Sequence, residues 1–271
     1  METRNKLWVG LGVVVAASTA FYIGTSVGPG GMDHGAMETA GEGGEGGEGA
    51  ASAEAIASDA VYLGQLAFIR GHLNVGVDLY RQGEQEASAT HMKHPGDELY
   101  TDLLPAMESR KATGFAEQLE ALAVAVTEQR PLAEVEAAYG TLQDAITLAE
   151  NAVTALNAEI LGDVILNLVR TAAAEYDIAV GEGGVLENEH EYQDALGFVR
   201  VATQLLERLD TLTENSTAVA AIRAQLDLIS PIWPGLQAPA RLDTAPSVIY
   251  GAAGRIEIAT LSLSLSLSLS L

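Results

Sequence analysis

The chain has 271 residues, 37 acidic against 14 basic side chains, a formal net charge of −23 at pH 7, and no cysteine. That balance excludes a nucleic-acid partner, because phosphate binding draws on basic clusters that this sequence lacks. The missing thiols exclude disulfides, thiolate catalysis and cysteine-based zinc or iron–sulfur centres.

Residues 1–27 read as a membrane anchor. Leu7 to Val27 carries no charge, and Arg4 and Lys6 precede it. A helix rising about 1.5 Å per residue over such a run crosses roughly the 30 Å of a bilayer core. The basic residues place its start on the cytoplasmic side, so the rest of the chain is expected in the periplasm or another extracytoplasmic space. Small residues at Ser18-Thr19-Ala20 leave a cleavable signal peptide open as the alternative, with secretion as its outcome. The partners this predicts are the membrane and a protein in or beside it.

Residues 28–55 read as a Gly/Glu-rich linker, with ten glycines between Gly28 and Gly49. Its composition cannot bury enough apolar surface to offset backbone entropy. Inside it lies Met32-Asp33-His34-Gly35-Ala36-Met37. Thioether and imidazole are copper ligands, and Met selects Cu(I). This segment resembles the Met- and His-rich motifs of periplasmic copper-resistance proteins, which implies copper capture by Met32, His34 and Met37.

From residue 56 to 260 the chain reads as an all-α domain, an antiparallel bundle of about seven to eight helices. Leu63, Leu66, Leu73, Val77 and Tyr80 recur at spacings of three and four and predict a central helix from Ser58 to Gln82, stopped by Gly83. His94-Pro95 predicts a boundary and a new helix to about Met107, kinked or shortened by Pro105. Further helices are expected over Phe115–Glu128, Leu132–Leu156, Glu159–Val180, Glu189–Leu212, Thr217–Ile229 and Ser247–Ala259, with a break at Pro231 and Pro234. Residues 261–271 alternate Leu and Ser, a period-two pattern that reads as a low-complexity tail.

Four histidines fall in this domain. His72 lies in the central helix, where a polar group needs a partner. Arg70, close by, has Glu175 as its expected partner, in a buried ion pair. His91-Met92-Lys93-His94 is followed by Asp97 and Glu98. Glu98 falls one turn beyond His94, so the two could share a metal ion, although carboxylates at a helix entrance also complement the helix dipole. His190 and Asp194, at i and i+4, could supply two more ligands, or simply begin a solvated helix. The candidate metal ligands are Met32, His34, Met37, His72, His91, His94 and Glu98, and copper is the metal they favour.

The run Arg70-Gly71-His72-Leu73, Gly76, Leu79-Tyr80, His91, His94-Pro95 and Glu98-Leu99-Tyr100, with Glu191-Tyr192-Gln193-Asp194, resembles a family of exported all-helical bacterial proteins with no assigned activity. The resemblance implies an exported helical fold and no mechanism. There is no Gly-x-Ser-x-Gly elbow, phosphate-binding loop, His-Glu-x-x-His or haem-attachment motif. The reading is therefore a membrane-tethered protein that binds or passes on a metal ion. A non-enzymatic accessory subunit or scaffold of a membrane complex is the alternative.

Overall fold

The structure, a computed structural model, describes residues 52–268, apart from the side chains of Ser52, His94, Asp97, Glu98 and residues 264–268. The expected anchor, the linker and the Met32, His34 and Met37 cluster lie outside the described residues. Among the described residues every named element is helical, and no helix is long and apolar enough to cross a membrane.

Helix α1 (Ser52–Ala57) leads into α2 (Asp59–Gln82), the central element. Ser58 caps α2 in extended geometry, its Oγ accepting from the Val61 N–H at 3.3 Å. Gly83, at φ 87°, ends α2, and the N–H groups of Gly83 and Glu84 return to the carbonyls of Tyr80 and Leu79. Nearly every side of α2 is buried, because α3, α6, α7 and α8 all pack against it.

Helix α3 (Gln85–His94) was not expected. Its sequence, Gln-Glu-Ala-Ser-Ala-Thr-His-Met-Lys-His, has little amphipathic period, and its place is set by packing. Gly76 of α2 opens the space: a Cβ there would lie 2.2 Å from Met92 Cε and 3.2 Å from His91 Cβ. The boundary expected at His94-Pro95 is a π-helical turn, Pro95–Leu99, through which the chain passes into α4 (Tyr100–Arg110). A widened turn accommodates a proline that cannot continue the i→i−4 ladder. Pro105 does not stop α4, which ends at Lys111 with φ 56°.

Helices α5 (Ala116–Thr127) and α6 (Leu132–Glu150) pair with each other, and α6 also packs on α2. The seam expected to reach Leu156 stops at Glu150, followed by a turn. Helices α7 (Ala158–Ala179), α8 (Glu189–Asp210), α9 (Ser216–Ile229) and α10 (Ser247–Ser268) form a four-helix bundle: α8 runs beside α7, α10 lies against α7 and α9, and α9 touches α8. Asn157, Asn188 and Asn215 cap α7, α8 and α9 through side-chain oxygens.

Helix α10 continues past the Ala259 expected from sequence. Ile256, Ala259 and Leu263 fall at helical spacing and are buried, with Leu263 Cδ1 close over Gly162 of α7. Asn215 Nδ2 donates to the Ser262 carbonyl at 3.2 Å. The Leu-Ser alternation is helical as far as Ser268 because its first turns find an apolar groove on the bundle, and among the described residues no strand is present for a period-two face to pair with.

Candidate metal centre

The centre forms where α2 and α8 cross most closely. Gly71 and Gly197 face each other there, and a Cβ on Gly197 would sit 2.7 Å from the Gly71 carbonyl oxygen. This approach carries His72, one residue after Gly71, up to Asp194, one turn before Gly197. His72 Nδ1 lies 2.7 Å from Asp194 Oδ1. From α3, held close by Gly76, His91 brings its Nδ1 to 2.9 Å from the same oxygen. One ligand atom from each of His72, His91 and Asp194 falls within 4.8 Å of the others, and the three residues are 1%, 0% and 2% exposed.

Gln193 determines what these atoms can do. Its Nε2 donates to the Leu236 carbonyl at 3.1 Å, so its Oε1 faces His91 Nε2 at 2.9 Å and must accept from it. His91 therefore carries a proton on Nε2, and in the neutral ring its Nδ1 presents a lone pair. That lone pair faces a carboxylate oxygen at 2.9 Å without hydrogen-bond geometry. Two lone pairs held this close in a dry interior repel, unless a cation lies between them. Metal-bound imidazoles commonly donate their second N–H to an oxygen, as His91 does here.

Asp194 supplies the charge. Burial pushes its carboxyl up, but the His72 imidazole beside it holds it well below the usual carboxylate range, so it stays ionised at neutral pH. The spacing also fits a metal: bonds of about 2.1 Å place cis ligands of an octahedron about 3.0 Å apart, close to the 2.7 and 2.9 Å observed. Two imidazoles and one carboxylate are the donor types found together at non-haem Fe(II).

The loop after α9 supports this arrangement. Trp233 Nε1 donates to the Tyr192 carbonyl at 3.0 Å, Tyr192 OH to the Gly235 carbonyl at 3.1 Å, and Gln193 to Leu236. Three consecutive contacts strap residues 233–236 across the first turn of α8. On another side, the Phe198 ring meets His72 edge-on at 5.2 Å between centroids. His190, 22% exposed, stacks on His91 at 4.1 Å and places Nε2 3.1 Å from Asp194 Oδ2.

Residues 154–263 match the family model of the iron permease-associated 4-helix bundle domain. The matched span covers α7, α8, α9 and most of α10, so it contains Asp194, Gln193 and His190, whereas His72 and His91 come from α2 and α3 outside it. No curated protein and no solved structure matches the chain.

Of the ligands expected from sequence, the structure brings together His72 and His91. The side chains of His94 and Glu98 lie outside the described ones, as do Met32, His34 and Met37. Arg70 does not pair with Glu175 as expected. It reaches across to α6, with Nε 2.7 Å from Glu150 Oε1, a hydrogen bond to Thr147 at 2.8 Å and another to Gln143. Sequence reasoning paired Asp194 with His190 as possible ligands, did not join it to His72 and His91, and gave Gln193 no role. The available signal was a carboxylate on an apolar stripe: Asp194, Phe198 and Val201 share one buried side of α8.

Proposed function

We propose that this chain is a membrane-associated metal-handling protein whose helical domain takes a divalent transition-metal ion, iron(II) foremost, into the His72–His91–Asp194 centre. The observation that carries the reading is the His91 lone pair, fixed by Gln193, facing an ionised and buried carboxylate. The match of α7–α10 to a domain associated with iron permeases supports iron as cargo and a membrane permease as partner. The donor set contains nitrogen and oxygen but no sulfur, which favours Fe(II) and similar ions over Cu(I). His72, His91 and Asp194 would hold the ion, and Gln193 would keep His91 in the binding tautomer. In the metal-free protein Asp194 Oδ1 accepts from His72 Nδ1, so loading displaces that proton to solvent.

Anaerobic titration of the full chain with Fe(II), alongside His91→Ala and Asp194→Ala, tests this. Saturable binding of one ion by the wild type, lost in both variants, is expected. Binding that survives both substitutions would refute the centre.

The Met32-Asp33-His34-Gly35-Ala36-Met37 segment supports a second reading, in which a soft-ligand arm captures Cu(I). Cu(I) protection of Met32 and Met37 from oxidation would support it. Equal oxidation with and without Cu(I), together with no binding on titration, would remove it.

A further inference from the structure

The Asp194 carboxylate is approached from two sides. Its Oδ1 faces the buried pair His72 and His91, at 2.7 and 2.9 Å, and its Oδ2 faces His190 Nε2 at 3.1 Å. Burial differs sharply between the two. His72 and His91 are closed to solvent, whereas 22% of the His190 side chain is open, with its Nε2 turned inward and buried. Of the three histidines around this carboxylate, His190 is thus the one whose ring borders solvent, and an ion reaches its Nε2 when that ring swings.

Resting on the metal-binding reading above, we infer that His190 is the entry ligand of the centre, passing a divalent ion to the buried pair through the Asp194 carboxylate. In the outer position the ion is held by His190 Nε2 and Asp194 Oδ2. In the inner position it is held by His72, His91 and Asp194 Oδ1. The step between them is a ligand exchange without change of oxidation state: the His190 bond breaks, bonds to His91 Nδ1 and His72 form, and the proton on His72 Nδ1 leaves to water. Because the two carboxylate oxygens belong to one group, the ion never loses its anionic partner during the exchange.

Two features suit His190 to a transient role. Its ring lies nearly parallel to that of His91, at 4.1 Å and 22°, so it covers the face of the buried imidazole on the solvent side. It also stands in the first turn of α8, fixed by the Asn188 cap, between exposed Glu187 and Glu189 in a chain of net charge −23. Negative charge at the mouth raises the local concentration of cations and speeds their arrival.

The test follows Co(II) uptake by the full chain in stopped flow, read by ligand-field absorption, for the wild type, His190→Ala, His190→Phe and His91→Ala. The phenylalanine keeps the stack but offers no nitrogen. Both His190 variants should slow uptake and release together by at least about tenfold, with affinity within about threefold of wild type, whereas His91→Ala loses affinity. If the His190 variants lose affinity as His91→Ala does, His190 is a permanent ligand and the entry role is overturned. Wild-type rates in His190→Ala, or in His190→Phe alone, also overturn it. A wild type that takes up no Co(II) overturns the centre itself and the entry step with it, a result distinct from every outcome in which the wild type binds.

Discussion

Replacing Gly197 with Ala tests whether helix contact builds the site. The added Cβ would lie 2.7 Å from the Gly71 carbonyl oxygen and 3.0 Å from both the Gly71 carbonyl carbon and Val75 Cγ2, where ordinary contact begins at 3.4 Å. Two of the three obstacles are backbone atoms of a buried helix, so no side-chain rotation relieves them, and α2 and α8 must part by about 0.7 Å. The His72–Asp194 distance of 2.7 Å would then approach 3.4 Å, beyond both a hydrogen bond and a cis ligand pair. Alanine in a helix is favoured by up to about 1 kcal/mol over glycine, while overpacking costs about 1–3 kcal/mol, so a net loss of about 1–2 kcal/mol is expected. In a domain of this size that lowers Tm by roughly 2–8 °C, and metal affinity should fall about 10–100-fold. Gly140→Ala on α6 is the control, since nothing lies within 4 Å of its Cβ and only helix propensity changes. Calorimetric unfolding and Co(II) titration measure both quantities. Should Gly197→Ala match Gly140→Ala in stability and in affinity, the close crossing does not shape the centre.

Gln193→Leu removes the acceptor that sets the His91 tautomer, and metal affinity should drop about 10–100-fold while far-ultraviolet circular dichroism stays unchanged; wild-type affinity would disprove the tautomer argument. Asp194→Asn in the metal-free protein should cost about 2 kcal/mol at pH 7, because it removes the charged acceptor that the buried His72 Nδ1 faces. The folded pKa of Asp194 is depressed, so its contribution is present above the unfolded value of about 3.9 and is lost as pH falls through the lower folded value. The gap between wild type and variant in denaturant titrations should therefore begin to shrink below about pH 4 and close only below the depressed folded value, and a gap that stays constant from about pH 7 down through that range contradicts the assignment. Leu263→Ala should cost about 2–4 kcal/mol if the Leu-Ser segment is packed on α7. An unchanged midpoint in urea would show that the segment contributes nothing to the fold.

The helical class and most helix limits follow from local pattern. Ser58 and Gly83 bracket α2 as a capping serine and a left-handed glycine should, and the apolar period of three and four residues marks α5, α7, α8 and α9 within a few residues. Such signals involve residues one turn apart, and the chain carries them wherever it packs. Where local pattern is weak, as in α3, or points elsewhere, as in the Leu-Ser run of α10, the outcome depends on a groove offered by another helix. His72 and His91 stood out as candidates because histidine is scarce, five in 271 residues. Asp194, one of 37 acids, was marked only through its spacing from His190, and Gln193 not at all, since its role depends on the Leu236 carbonyl 43 positions away.

The sequence by itself determined an acidic, cysteine-free, helical chain with a membrane-length apolar run and two clusters of side chains chemically able to ligate a metal. Tertiary structure alone decided which of those side chains meet. Residues separated by 102 and 122 positions come within 3 Å because glycines at 71, 76 and 197 let three helices approach more closely than any larger residue allows. Composition and period act through neighbours in the chain, whereas a coordination site depends on distances between helices, which the packing of the whole domain sets.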